Sequence, residues 1–460
     1  MTEVQELATF VEKARLSDLS PEALEQLKIR VLDTLGVAVG ALDAEPVNAI
    51  RGLLEDLGGT EQATLIGGGK TSPEKAAFFN SALSRYLDFM DAYLAKGETN
   101  HPSDNFGAVL AAAESVDASG AELLTAFAVA YQVHTRLSDV APVRALGFDH
   151  TTQGAFAAAC SAAKALGLDA DQIANAAAMA GTANVALRVT RTGNLSHWKG
   201  LAYPHVAKEG VWSALLASRG ITGPGEVFEG NKGFKDLAGD YTLDWSSEDL
   251  ESVTRTIIKK YNAEIHSQSA LEAVLDIRSR EGFDPSHIDT VRLSTFDVAY
   301  SIIGGGEEGD KQTIRTKEEA DHSLPWMLAV ALLDGELNPG QYDPARIVAD
   351  DVQELMAKVT ITPDDALSDR FPEEMPAEVT VTLDDGTEFS AEKSAYDGFF
   401  TCPLDWDAAR VKFNVLTAPF ADQALRDEIS DIVHDLDNRQ VTELTAALAK
   451  VSTTRADGQS

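Results

Sequence analysis

Only two cysteines, Cys160 and Cys402, occur in 460 residues. They are far apart and too few for a disulfide framework in a chain this long, which points to a reducing compartment. They also fall short of the three or four thiolates that an iron–sulfur cluster takes from one chain, so a cluster of the aconitase type is excluded. Basic residues are scarce as well: 38 Lys and Arg stand against 73 Asp and Glu, a formal charge of −35. That balance argues against nucleic acid or an anionic membrane surface as a partner. No uninterrupted apolar run approaches about 18 residues, and the N-terminus MTEVQELATFVEKARL is charged from its third residue, so neither a membrane span nor export is indicated. The expectation is a soluble, cytoplasmic protein.

Phosphate-loop and zinc signatures are missing too. In GGGKT at Gly67 to Thr71 the first glycine of GxxxxGK[ST] would fall at Thr64, so the segment reads as a turn. Gly304-Gly305-Gly306 runs into Glu307 and Glu308, which would repel a phosphate, and reads as a loop. No HExxH or close His/Cys grouping has zinc-binding spacing, and neither a metal nor a cofactor is expected. The acidic excess would self-repel in dilute buffer and be screened by salt, which suits a salt-rich, halophilic cytoplasm.

With 44% hydrophobic residues the chain can bury large cores. Leu24, Leu27, Val31, Leu32, Leu35 and Val39 recur at helical spacing after the Ser20-Pro21 start signal. The alanine-rich runs Ala155 to Leu168 and Ile173 to Ala186 repeat the pattern, and alanine has the best helix propensity. After about residue 285 the texture becomes alternating, as in Val291, Leu293 and Thr295, in Val359 and Ile361, and in Val379, Val381 and Leu383 before Asp385-Gly386. A helix from Ser323 to Leu333 interrupts these strands, and helices return from Pro419 to Val451 before a tail, residues 452–460, expected to fray. The expected fold is mostly α: a large all-helical domain over 1–268 and 398–460, discontinuous, with a smaller α+β lid inserted over 269–397.

The segment Tyr86 to Gly107, YLDFMDAYLAKGETNHPSDNFG, sets Asp88 and Asp91 ahead of a His101-Pro102-Ser103 turn. Carboxylate and imidazole are the side chains best suited to moving protons near neutral pH. Read as a helix end followed by Pro102, the segment projects them into a cleft; taken alone, it fits equally a helix terminus capped by Asp and His.

Other segments decide. GGGKTSPEKAAFFNSALSRYLDF precedes it, and Gly147 to His150, GFDH, follows. Further on come WKGLAYPHVAKEGVWSALLASRGITGPGEVFEGNKGF from Trp198, KKYNAEIHSQSALEA from Lys259 and DHSLPWMLAVALLDG from Asp321. Together, and in this order, they resemble the MmgE/PrpD family, whose best-known members are 2-methylcitrate dehydratases and which also includes cis-aconitate decarboxylase. The resemblance implies an active site between helical domain and lid, built on Asp88, His101, His150, Lys199, Lys259 and His266. It also implies a homodimer and a small tricarboxylate substrate.

Dehydrating such a substrate needs a base for a weakly acidic proton, cations for the developing dianion and an acid for the departing hydroxyl, but no redox cofactor. Asp88 would orient His101, while His101 and His150 exchange protons with the substrate. His266, at the start of a helix, would be kept neutral by the dipole, as suits a base. Lys199, Lys208, Lys259, Lys260, Arg188 and Arg191 are the candidate carboxylate clamps, and each is also readable as a solvated end. Trp326 stands where many family members have an aromatic hydroxyl, Ala92 where they have a hydroxyl residue, and DGFFTCPLDW after Tyr396 is unlike the usual family sequence. His134, His197, His287 and His434 read as structural or solvated. The implied activity is a metal-independent carbon–oxygen lyase, 2-methylcitrate to 2-methylaconitate, in propanoate breakdown. The alternatives are a cis-aconitate decarboxylase, another hydroxy-acid dehydratase, or a non-catalytic helical scaffold.

Overall fold

The computed structural model describes residues 1–193 and 195–455, so part of the tail expected to fray lies outside the described residues. The chain divides into two units, the larger made of Met1–Val189, Gly200–Thr256 and Leu404–Gln459, the smaller of Thr190–Lys199 and Ile257–Pro403. The sequence reading set the boundaries at 268/269 and 397/398; residues 190–199, 257–268 and 398–403 instead group with the smaller unit.

The larger unit is built on long helices, among them Pro21–Gly40, Gly120–Val140, Thr151–Ala165 and Trp198–Ser218. Pro21 occupies the first turn of its helix and the Ser20 side chain accepts from the Ala23 N–H, so the start signal read from sequence is a working cap. Small residues let helices approach closely: a Cβ on Gly210 would stand 2.7 Å from that of Ala158. Helix Trp406–Thr417, unread in the sequence, lies along Pro21–Gly40, with Lys412 Nζ 2.7 Å from the buried Asp33 carboxylate.

This unit is not all-helical. Short antiparallel pairs join Ala63–Thr64 to Lys70–Thr71 and Asp91–Ala95 to Glu98–Asn100. The first encloses the turn expected at GGGKT. The second corrects the reading of Tyr86 to Gly107 as a helix end: the helix stops at Tyr86, Asp88 turns the chain at φ 54°, and a hairpin follows. Every residue of Asp91–Ala95 is buried, so the strand lacks the inside–outside alternation that betrays a strand in sequence.

The smaller unit carries a four-stranded sheet in the order Val359–Pro363, Ile288–Thr295, Ala377–Leu383, Glu388–Lys393. Val291 stands opposite Val359 and Val381, and Leu293 opposite Ile361 and Val379, so the expected alternation builds one apolar face. Asp385-Gly386 makes the hairpin turn, with Gly386 at φ +85°, a conformation only glycine adopts without strain. Helices Gln268–Arg278 and Leu324–Asp334 complete that core. No helix among the described residues is long and apolar enough to cross a membrane.

Candidate active site

In the hairpin of the larger unit Tyr93 pairs with Asn100, a register that brings the ends of the strands, Asp91 and His101, side by side. His101 Nδ1 lies 2.7 Å from the Asp91 carbonyl oxygen. A carbonyl only accepts, so Nδ1 carries the proton and Nε2 presents its lone pair whenever the ring is neutral. Asp88, expected to orient His101, has its carboxylate paired with Arg85, and the Asp91 backbone supplies the tautomer-fixing contact. Asp91 itself accepts from Tyr131 Oη at 2.6 Å and the Ser103 N–H at 3.2 Å; burial raises its pKa against these bonds.

His150 stands just ahead of helix Thr151–Ala165, and its ring meets that of His101 edge to face, centroids 5.6 Å apart. His134, on helix Gly120–Val140, stacks on His150 at 6.0 Å, and Tyr203, on helix Trp198–Ser218, does the same at 6.0 Å. Tyr203 Oη donates to Asn105 Oδ1 at 3.0 Å. All of these side chains are buried, His101 retaining the most exposure at 8%. Burial pushes His134 down to about 3, with the His150 backbone and Asp149 pulling weakly the other way. Sequence reasoning set His134 aside as structural and did not single out Tyr203. Nothing in a single sequence separates a core histidine from one that lies against His150.

The smaller unit gathers cations around two buried carboxylates. Lys199 Nζ lies 2.7 Å from Asp321 Oδ1 and 3.0 Å from His322 Nδ1, while Lys317 holds the other Asp321 oxygen at 2.8 Å. Burial would raise Asp321, yet Lys199, Lys317 and His322 hold it well below the usual carboxylate range. His266 Nδ1 sits 2.8 Å from Glu264 Oε1, in the turn preceding helix Gln268–Arg278. The sequence reading had only the helix dipole acting on His266; the Glu264 carboxylate lies against the ring as well. Burial works to raise Glu264, and His266, His322 and Lys259 together hold it at about 2. Lys259 is buried, and burial lowers the ammonium of Lys311, which feels Glu308, Lys199, Glu264 and Asp321. Asp321, His322, Glu264, Lys311 and Lys317 were not singled out in the sequence, although DHS at Asp321 to Ser323 and the Glu264–His266 spacing were on view.

The remaining candidates stand differently. Arg191 is buried and donates to the Lys199 carbonyl at 3.3 Å. Lys260 forms ion pairs with Glu272 and Asp397, both at 2.9 Å, and Lys208 pairs with the adjacent Glu209 at 2.8 Å. Trp326 is fully buried in the smaller unit's core, its indole N–H donating to the Ile347 carbonyl at 3.2 Å.

A buried imidazole pair, one member held in a single tautomer, is equipment for acid–base chemistry, and the smaller unit separately carries lysines about buried carboxylates. The chain belongs to the MmgE/PrpD family: the N-terminal domain of that family matches residues 5–245 and its C-terminal domain residues 261–438. It is 29% identical to the 2-methylcitrate dehydratase of Cupriavidus necator over 391 residues, covering 78% of each chain. It is 27% identical to that of Escherichia coli K12, over 84% of this chain and 83% of the relative. The cis-aconitate decarboxylase of Mus musculus is 24% identical over 97% of this chain and 93% of its own.

Proposed function

We propose that this protein is a hydro-lyase that dehydrates 2-methylcitrate to 2-methylaconitate by general acid/base catalysis, with no metal and no cofactor. The observation that carries this reading is the buried edge-to-face pair of His101 and His150, in which the Asp91 carbonyl sets the tautomer of one partner. Two imidazoles this close set two proton-exchanging groups side by side, one to accept a proton and one to deliver it. A base and an acid are thereby available at once, as elimination of water demands: one takes the proton next to a carboxylate, the other delivers one to the leaving hydroxyl. In this reading Lys199, Lys259 and His266 are the groups that bind carboxylate and offset negative charge as it develops. Arg191, Lys208 and Lys260 remain as candidate outer contacts, Trp326 serves the smaller unit's core, and Asp88 sets the Arg85 side chain.

The names of the relatives from Cupriavidus necator and Escherichia coli support the substrate. On that substrate the enzyme serves propanoate breakdown in the cytoplasm, as a homodimer, and sedimentation at working concentration tests the last point. The near full-length similarity to a cis-aconitate decarboxylase favours the second reading. Purified protein in EDTA, offered 2-methylcitrate, citrate and cis-aconitate, separates the two. A new conjugated double bond absorbing in the ultraviolet supports dehydration, release of CO₂ from cis-aconitate supports decarboxylation, and neither product refutes both.

A further inference from the structure

We propose that Tyr203, anchored by Asn105 and in contact with His134, is a positioning residue that fixes the ring plane of His150 for proton transfer. The inference rests on the acid/base reading above and adds a residue to it. The anchoring is directional. Asn105 Nδ2 donates to the Pro102 carbonyl at 2.9 Å, so the other amide atom is the oxygen, and the single hydroxyl proton of Tyr203 goes to it at 3.0 Å. Tyr203 Oη is then left to accept at its 3.4 Å contact with His134 Nδ1, which makes that nitrogen the protonated one. The chain Pro102, Asn105, Tyr203, His134 thus runs from the residue after His101 to the ring stacked on His150.

The phenol ring has a place made for it. Gly154 lies one turn beyond His150, and a Cβ there would stand 2.6 Å from Tyr203 Cε2 and 2.8 Å from its hydroxyl oxygen. Only a glycine lets Tyr203 come this close, and the two rings then lie 24° from parallel at 6.0 Å. His134 stacks at 26° and adds no charge at neutral pH. His150 also faces the edge of His101 and the Asp149 carboxylate, 3.8 Å from Nε2, which has Arg188 at 3.9 Å from its second oxygen. Two flat neighbours therefore restrict rotation of the His150 ring, and the ring edge stays directed toward its partners.

The test compares protein carrying ¹⁵N in its histidine rings as wild type, Tyr203→Phe and Tyr203→Leu, with His150→Gln giving the assignment. The His150 ring signals should move in both variants while those of the exposed His287 stay fixed. In the same samples kcat should fall about 100-fold in Tyr203→Leu, less in Tyr203→Phe, with KM nearly unchanged, the pattern of a misoriented catalytic group. Unmoved His150 signals in a folded Tyr203→Leu protein, or a loss confined to KM, would overturn the inference. Should the wild type turn over no substrate while the His150 signals still move, the proposed function fails and the positioning of the ring stands.

Discussion

The Nδ1 atom of His101 and the backbone carbonyl oxygen of Asp91 lie 2.7 Å apart, joined across the end of a buried hairpin. A main-chain partner cannot be exchanged or titrated, so the tautomer of His101 follows from the fold itself rather than from a neighbouring side chain.

His101→Ala should therefore cost about 10²- to 10⁴-fold in kcat, the usual contribution of one positioned acid or base. His101→Asn, which keeps a donor for the Asp91 carbonyl but has no basic lone pair, should be equally slow and fold normally. Steady-state kinetics with circular dichroism checks both, and wild-type turnover in either variant would remove His101 from the mechanism.

Acid stability offers a second check. Glu264 is held at about 2 in the folded protein, against about 4.3 for a free glutamate. A depressed value means its contribution is complete above the unfolded pKa and is lost as pH falls toward the folded one. Wild type should lose Tm steeply between about pH 4.3 and about pH 2. Glu264→Gln should start lower and show a shallower fall over that window; parallel curves would contradict the assignment.

Gly154→Ala sets two effects against each other. Alanine gains about 1 kcal/mol of helix propensity, while its Cβ, 2.6 Å from Tyr203, brings an overpacking penalty of about 1–3 kcal/mol. A net loss of about 1 kcal/mol by urea unfolding is expected, recovered in the double variant Gly154→Ala/Tyr203→Leu, where the ring is gone.

Salt should act on the whole molecule. A formal charge of −35 repels itself, and the Debye length shrinks from about 10 Å at 0.1 M to about 3 Å at 1 M salt. Tm should climb with KCl over this range, and a flat or falling curve would discard the salt-rich setting.

Legibility in the sequence followed burial. The smaller unit's strands announce themselves because one face is wet: Asp289 and Arg292 are exposed between the buried Ile288, Val291 and Leu293. The Asp91–Ala95 strand has no wet face, hence no alternation, and passed for a helix end. Lys259 and Lys260 are adjacent in one motif, yet the first is 1% exposed while the second is held by Glu272 and Asp397. Adjacent residues in non-helical backbone point opposite ways, and a string of letters does not say which way is in. His134 sits at helical spacing among apolar residues, like any core histidine, so only its distance to His150 marks it.

The closure of the larger unit by the distal end of the chain carries a consequence for synthesis. Gly120 N–H donates to the Arg439 carbonyl at 2.8 Å and Val441 N–H to the Ala118 carbonyl at 3.2 Å, while the aromatic ring of Phe413 fills the notch left by Gly36. A ribosome that has completed residue 256 has therefore released a body with open seams, which wait through nearly 150 further residues for the strands of polypeptide that seal them. The matched N-terminal segment 5–245, expressed by itself, should be captured by chaperones or precipitate, and it should regain order when the peptide 404–455 is supplied in trans.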